Sequence, residues 1–170
     1  GSRWSTFPSV AAAWRISQES FMKGIRSWLD DLKIRASWGQ TGSATGLGLY
    51  PSYTLISTGG LILNNTYQQI ASLKTIGNQE LTWEHSDMLN LGLDVKVLNS
   101  RLNFTGEYYI KNTKDILLEM PVPLEYGFGK PNMNVGEVRN KGWELSLSWN
   151  DRINDFGYSI SGNLSDNRNE

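Results

Sequence analysis

The sequence lacks cysteine and has a single histidine, His85, among its 170 residues. A disulfide framework, a thiolate nucleophile and a cysteine-based zinc site are therefore excluded, and one histidine is too few for a His-rich metal cluster. Neither sign of charge is in excess, because 16 Lys and Arg face 17 Asp and Glu. Nucleic acid is not expected as a partner, since its phosphate backbone is bound by a surplus of positive charge.

Long apolar runs and catalytic motifs are missing as well. The longest apolar run, Val10 to Trp14, is far shorter than the roughly 18 to 20 residues of a transmembrane helix, so any membrane contact must use strands. His85 lies beside Glu84 and Asp87, but at the start of a strand it is more typical of a solvated surface than of a general base. The chain is not expected to be an enzyme, and no cofactor or metal ion is expected.

What the sequence does contain is alternation of apolar and polar residues. In Arg101–Lys111, for example, Leu102, Phe104 and Ile110 alternate with polar side chains. A strand sends successive side chains to opposite faces of a sheet, so period two predicts a strand with one apolar face. Alternation of this kind predicts six strands, at 10–16, 32–38, 89–97, 101–111, 143–150 and 156–164.

The connections predict how these strands are arranged. Parallel neighbours would need helical crossovers, and none is evident, so the fold class is all-β, an antiparallel meander. The links at 98–101 and 150–155 are short, whereas those at 42–84 and 119–138 are long. The helical spacing of apolar residues after Ser17 predicts a short helix in the link to Asp30. Short turns at one end and long loops at the other are typical of an outer-membrane β-barrel.

Alternation alone does not say which face meets water, so a soluble β-sandwich acting as a carbohydrate-binding or adhesion module stays an alternative. The position of the aromatic residues favours the barrel. Tryptophan and tyrosine lie toward the ends of the apolar stripes, where the rings of a barrel meet the two lipid interfaces. The expected lipid-interface aromatics are Trp14, Trp38, Tyr108, Trp143 and Trp149.

The two long loops are rich in aromatic residues among Ser, Thr, Asn and Gly. Aromatic faces beside amides and hydroxyls can stack on sugar rings or contact peptides, although such residues also pack a loop on itself or on a neighbouring subunit. The candidate ligand-binding residues are Tyr50, Tyr53, Tyr67, Trp83, Tyr126 and Phe128.

Several phrases of the sequence resemble the barrel of SusC/RagA-type TonB-linked outer-membrane transporters of Bacteroidota. The resemblance covers nearly the whole chain, and residues 43–75 are its least characteristic part. It rests on FPSVAAAWRISQESFM, WLDDLKIRASWGQTG, IGNQELTWEHSDMLNLGLDVKVLNSRLNFTGEYYIKNTKDILLEMPVP, NVGEVRNKGWELSLSWN and NLSDNRNE.

The resemblance implies a 22-stranded transmembrane barrel, of which residues 1–170 would be one part. The plug, the N-terminal strands and the closing strand of such a barrel would lie outside it. It also implies energisation by TonB, a SusD-like surface lipoprotein as partner, outer-membrane lipid around the barrel, and import of oligosaccharides or peptides. The polar side chains Lys33, Arg35, Glu107 and Glu144 would then line the lumen or contact the plug.

Overall fold

The computed structural model describes residues 4–45, 52–127 and 129–170. Within these ranges it contains eight β-strands and three short 3₁₀ turns. The strands are β1 (Ser9–Arg15), β2 (Leu29–Ser43), β3 (Leu55–Leu63), β4 (Thr66–Thr75), β5 (Glu84–Val97), β6 (Leu102–Glu119), β7 (Asn132–Ile153) and β8 (Phe156–Asn169). The all-β prediction is therefore confirmed, and every one of the six predicted strands is present.

Six of the strands form one sheet in the order β1-β2-β5-β6-β7-β8. The pairs β1–β2 and β7–β8 are antiparallel. In β2 and β5, Gln40 contacts Asp87 and Lys33 contacts Asp94, so the residue numbers change in opposite directions along the two strands. These strands are therefore antiparallel too, although a second sheet separates them in the sequence.

That second sheet is the antiparallel hairpin β3–β4, which the sequence did not predict. It lies within the long link 42–84, which the sequence pattern predicts to be a loop. Asn64 and Asn65 connect its strands with φ of 53° and 60°. Two consecutive left-handed residues are typical of the type I′ turn, whose twist matches that of the strands it joins.

Short turns join β5 to β6 and β7 to β8, at the strand ends that lie away from the long links 42–84 and 119–138. Leu98, Asn99 and Ser100 have φ of 59°, 57° and 60° between β5 and β6. Between β7 and β8, only Asn154 and Asp155 lie outside the strands. Both short turns were predicted, but the flanking strands are longer than the alternation indicated.

The helix predicted between Ser17 and Asp30 is wrong. The structure has only the 3₁₀ turns Ile16–Gln18 and Ser20–Met22 there. Ser17, which was expected to cap the helix, is 1% exposed and donates its hydroxyl to Asp31 Oδ1 at 2.8 Å. Because Ser17 is anchored to the following strand, its hydroxyl does not satisfy the N–H groups of a helix.

The described helical segments include none that is both long and apolar enough to cross a membrane.

The chain divides into two compact units. One, here called the loop unit, comprises Gly1–Thr6, Gly42–His85 and Thr113–Glu137. The other, here called the sheet unit, comprises Phe7–Thr41, Ser86–Asn112 and Val138–Glu170.

Few apolar side chains are buried. Leu29 and Leu81, each 7% exposed, are the buried hydrophobic residues of the described chain. A β-sandwich would bury one whole face of its alternating strands. The described residues therefore form no closed apolar interior of the kind that a soluble sandwich requires.

One close contact on the β7–β8 pair generates a test of this packing. A Cβ at Gly142 would lie 2.6 Å from the backbone oxygen of Asp166 and 2.8 Å from the Tyr109 hydroxyl, whereas a Cβ at Gly162 would meet nothing within 4 Å. We expect Gly142→Ala to lower the free energy of unfolding by about 1–3 kcal/mol through overpacking. Gly162→Ala, the matched control on the partner strand, should have little effect. Denaturant unfolding of both variants measures this, and equal effects would contradict the described contact.

Candidate functional site

The two faces of the sheet unit differ in chemistry. The register of β7 and β8 aligns Leu145 with Leu164 and Trp149 with Ile160, and it aligns Ser146 with Asn163 and Ser148 with Ser161. In these four pairs apolar residues meet apolar residues and polar residues meet polar ones, whereas nearer the ends of this register Trp143 pairs with Asp166 and Tyr158 pairs with Asp151. We call the two sides the apolar face and the polar face. The apolar face includes Ile34, Trp38, Leu89, Leu91, Leu93, Phe104, Tyr108, Trp143, Leu145, Leu147, Trp149, Ile160 and Leu164.

The apolar face is largely open to its surroundings. Leu147 is 49% exposed, Leu164 63% and Ile160 67%. Soluble monomers rarely expose a continuous apolar patch of more than a few hundred Å². This face therefore requires an apolar medium or partner to cover it.

The predicted interface aromatics lie at two levels of this face. Trp14 pairs with Ile34, close to the short-turn end of β1 and β2, whereas Trp38 pairs with Val10 toward the other end. On β7, Trp149 lies near the short turn, and Trp143 lies six residues further from it.

Tyr108 belongs to the second level. Asn150 N donates to Arg101 O, and counting seven residues along each strand from that contact brings Tyr108 opposite Trp143. The indole Nε1 groups at the short-turn level have polar partners, Glu19 Oε1 at 2.9 Å for Trp14 and the Tyr158 hydroxyl at 3.4 Å for Trp149. An apolar ring with a hydrogen-bonded N–H suits a lipid–water boundary, but the interface role itself stays a prediction.

Charged residues bound the apolar face. Lys141 and Asp151 share the face of Trp143 and Trp149, one beyond each level. Ten residues separate them, which corresponds to about 33 Å along a strand. At the strand tilt of about 40° found in membrane barrels, the height is about 25 Å, which is that of their apolar band.

The polar face contains an ion-pair network centred on Arg35. Its Nε lies 2.8 Å from Asp94 Oδ2, and its Nη2 lies 2.7 Å from Glu107 Oε1. Lys33 Nζ approaches the same Asp94 carboxylate at 4.0 Å. Contacts with Arg35 and Asp94 thus bring together the three predicted lumen residues Lys33, Arg35 and Glu107, although the sequence pattern does not single out Asp94.

Gly92 makes room for this network. A Cβ at this position would lie 2.9 Å from Arg35 Cζ, so the guanidinium lies directly over the glycine. The fourth predicted lumen residue, Glu144, borders a shallow depression on the polar face together with Thr105, Glu107 and Asn163. All four predicted residues therefore lie on one face, whereas their role in a lumen stays a prediction.

The loop unit contains the described candidate ligand-binding aromatics. Tyr53, Tyr67 and Tyr126 are 65%, 70% and 65% exposed, and Trp83 is half-buried. Tyr67 lies on strand β4 and not on a loop, and a Cβ at Gly60 of β3 would overlap its ring.

Tyr50 and Phe128, the other two candidates, lie outside the described residues. No contact described for the remaining four identifies a ligand, so the ligand-binding assignment stays a prediction.

The acidic residues near His85 form contacts within the protein. His85 Nδ1 lies 3.0 Å from Asp115 Oδ2, in the loop unit. Glu84 Oε1 accepts the backbone N–H of Leu117 at 2.8 Å, and Asp87 Oδ1 accepts Gln40 Nε2 at 2.7 Å. In the ranges that the structure describes, no group of three or more His, Cys, Asp or Glu residues could hold a metal ion.

The Arg35 network generates a prediction about coupling. Since one guanidinium contacts two half-buried carboxylates, we expect Arg35→Ala and Glu107→Ala to be coupled by about 1 kcal/mol in a double-mutant cycle of unfolding. Lys114 and Glu137, 3.8 Å apart and more exposed, provide the control pair. Their coupling should be near zero, as for most surface ion pairs. Equal coupling in the two cycles would show that the Arg35–Glu107 contact stabilises the fold no more than an exposed ion pair does.

Comparison with solved structures finds close likeness over nearly the whole chain. The RagAB peptide importer in its open-open state matches with a TM-score of 0.81 and 30% identity, covering 96% of this chain and 18% of the matched chain. The closed-closed state of the same importer matches with a TM-score of 0.82, 30% identity and the same coverage.

Sequence comparison gives the same result. TonB-dependent receptor P26 of Formosa agariphila is 36% identical over 169 residues, which are 99% of this chain and 17% of that protein. TonB-dependent receptor SusC of Bacteroides thetaiotaomicron is 32% identical over 181 residues, covering 99% of this chain and 17% of SusC. This chain thus spans only about a sixth of the length of these relatives. The family description "TonB dependent receptor-like, beta-barrel" matches residues 1–170, and the chain therefore belongs to the TonB-dependent receptor β-barrel family, with SusC and RagA among its relatives.

Proposed function

We propose that the full-length protein containing this chain is an importer of the bacterial outer membrane. The observation that carries the proposal is the two-faced sheet, in which the open apolar face has the height of a barrel's lipid-facing band. In a barrel each strand alternates between lipid and lumen, so one sheet satisfies both media. The family likeness supports the same placement, since TonB-dependent receptor barrels are outer-membrane proteins.

In this orientation the apolar face contacts lipid and the polar face borders the lumen. The Arg35 network then lies on the lumen side, where charged groups can meet water or the plug. The short turns face the periplasm and the long links 42–84 and 119–138 face the outside, the usual arrangement of outer-membrane barrels.

A substitution pair on β7 tests the orientation. Leu145 lies between the two aromatic levels on the apolar face, and its neighbour Ser146 lies on the polar face. We expect Leu145→Arg to lower the folding free energy of the full-length barrel in lipid by about 2–4 kcal/mol, the cost of an arginine near the midplane. Ser146→Arg is the matched control and should cost much less. Equal costs, or a larger cost for the control, would reverse the assigned faces.

We further propose that the cargo is an oligosaccharide or a peptide, captured outside with the help of a SusD-like surface lipoprotein and released by energy from TonB. Two similarities support this proposal. The matched RagAB structures are those of a peptide importer, and SusC is among the relatives. The loop unit adds exposed tyrosines and the hairpin β3–β4, whose apolar residues are exposed on both faces.

The hairpin has a composition suited to contact with another protein. Ile56, Ile62 and Leu73 lie on one of its faces, and Leu61 and Ile70 lie on the other. All are at least 45% exposed. An isolated two-stranded hairpin is marginally stable in water, so contact with the lipoprotein would stabilise it.

Tyrosine variants of the full-length protein test cargo binding. We expect Tyr67→Ala and Tyr126→Ala each to weaken cargo binding by roughly threefold to tenfold, the effect of losing one aromatic contact. Tyr108→Ala, on the apolar face of the sheet unit, is the matched control and should leave affinity unchanged. Calorimetry of the purified importer with its lipoprotein, titrated with defined peptide and oligosaccharide mixtures, provides the measurement.

Three results would contradict the proposal. One is the absence of binding to either mixture, and another is an equal loss in the Tyr108→Ala control. The third concerns uptake of labelled cargo by intact cells, which requires TonB in the proposed mechanism. Uptake that persists in cells without TonB would exclude energised import.

A further inference from the structure

The hairpin β3–β4 has an outer edge that no other described strand covers. Within the ranges that the structure describes, β3 pairs only with β4, and all nine residues of β3 are exposed. The free edge of a strand presents a row of backbone N–H and C=O groups that are able to pair with another chain. The outer edge of β3 is therefore a template to which an extended chain can add.

The turn of the hairpin determines which residues of β3 direct their backbone groups outward. Leu63 and Thr66 are paired and flank the two left-handed turn residues. In a two-residue hairpin this flanking pair is hydrogen-bonded, and hydrogen-bonded and non-hydrogen-bonded pairs alternate along an antiparallel ladder. Every second residue of β3 before Leu63 thus directs its N–H and C=O away from β4. These residues are Ile56, Thr58, Gly60 and Ile62.

The outer edge of β3 lacks the features that usually protect an edge strand. Such features include charged side chains, proline and β-bulges. The strand, LISTGGLIL, contains no charged residue and no proline, and its register with β4 is irregular only between Leu55 and Ile56. The regular part from Ile56 to Ile62 is about 20 Å long. This length of edge is available for pairing.

The edge of β4 is less open than that of β3. Gly129 N donates to Lys74 O at 2.9 Å, and Gly129 forms a parallel bridge with Thr75. Lys74 is also the charged residue of the hairpin. The base of the hairpin is held on the other side as well, since Gly77 N donates to Thr54 Oγ1 at 3.2 Å. The hairpin is thus anchored at its base, and β3 offers the freer edge.

The ring of Tyr67 reaches from β4 across to β3. A Cβ at Gly60 would overlap this ring, so the ring lies directly over the glycine. Tyr67 is 70% exposed. The side chain of a chain paired beside Gly60 would therefore find an aromatic surface next to it. This places one of the predicted ligand-binding residues at the free edge of β3.

The chemistry of the edge selects a polypeptide as its occupant. An extended peptide repeats N–H and C=O groups at the spacing of the strand that it joins, whereas sugar hydroxyls do not. Main-chain hydrogen bonds provide affinity in this mode of binding, and side-chain contacts provide specificity. Since β3 has no charged side chain, the edge accepts peptides of either charge.

We propose that the outer edge of β3 binds cargo peptides as an added β-strand, with Tyr67 in contact with a cargo side chain. The proposal rests on the import function proposed above and selects the peptide from its two cargo classes. The added strand makes the hairpin a three-stranded sheet, which is more stable than two strands alone. The face of the hairpin with Leu61 and Ile70 stays available to the lipoprotein.

The first test uses the unmodified full-length importer, purified with its lipoprotein. The probe is an acetylated and amidated octapeptide of alternating threonine and valine between two terminal lysines. Its analogue carries a methyl group on each threonine and valine amide nitrogen, so it keeps the side chains and loses those N–H donors. We expect calorimetry to show that methylation weakens binding about tenfold or more, because several hydrogen bonds are lost.

Proline substitutions test which edge of the hairpin binds the peptide. Thr58 and Ala71 are partners in the register, and each directs its N–H outward from its own strand. Proline removes that N–H and leaves the hydrogen bonds between β3 and β4 in place, as at other edge positions. We expect Thr58→Pro to weaken octapeptide binding about fivefold or more. Ala71→Pro is the matched control and should bind the octapeptide like the unmodified protein.

Equal affinity for the octapeptide and its methylated analogue overturns the proposal, and this result requires no variant to fold. An unchanged affinity in Thr58→Pro, or an equal loss in Ala71→Pro, overturns it too. So does a dimer of the importer, seen by light scattering, that Thr58→Pro abolishes, because a second copy then occupies the edge. Uptake of labelled cargo by cells with and without TonB tests import by itself, so failure of strand addition and failure of import are distinguishable.

Discussion

The sheet, as far as the structure describes it, depends on its surroundings to cover its apolar face. Its strands alternate between an apolar and a polar face, and almost none of the described apolar side chains is buried within the chain. Ordinary globular domains are stabilised by burying apolar surface inside the chain. Here the surroundings of the sheet must cover that surface instead. Backbone hydrogen bonds between strands and the ion pairs of the polar face fix the register, while the medium supplies the remaining stabilisation.

The six strands of the main sheet could be predicted from the sequence, because apolar and polar residues alternate clearly there, as in Trp143–Asn150. It was insufficient for the hairpin β3–β4, because segment 55–73 has apolar residues on both faces, so no clean alternation marks it. Its turn signal, Asn64 and Asn65, is present in the sequence and could have indicated a hairpin. The predicted helix after Ser17 failed for a different reason, since the hydrogen bond from the Ser17 hydroxyl to Asp31 overrode a local pattern.

Side-chain partners were less predictable than faces. Alternation correctly grouped Lys33, Arg35 and Glu107 on the polar face, but it could not pair Arg35 with Asp94, because the two are 59 residues apart in the sequence. The same limit applies to Asn112 and Arg139, which are hydrogen-bonded but come from different strands. Sequence period gives the direction of a side chain, whereas register across strands gives its neighbours.

The short turn between β7 and β8 affects how the chain assembles. Since Ile153 pairs with Phe156, the ends of these strands meet when only a very small loop closes. Pairing can then extend along the two strands one residue pair at a time. By contrast, β2 and β5 are neighbours although some 40 residues separate them, and closing that longer segment costs more entropy. Low sequence separation favours early contact formation, so we expect the β7–β8 pair to form before β2 and β5 join.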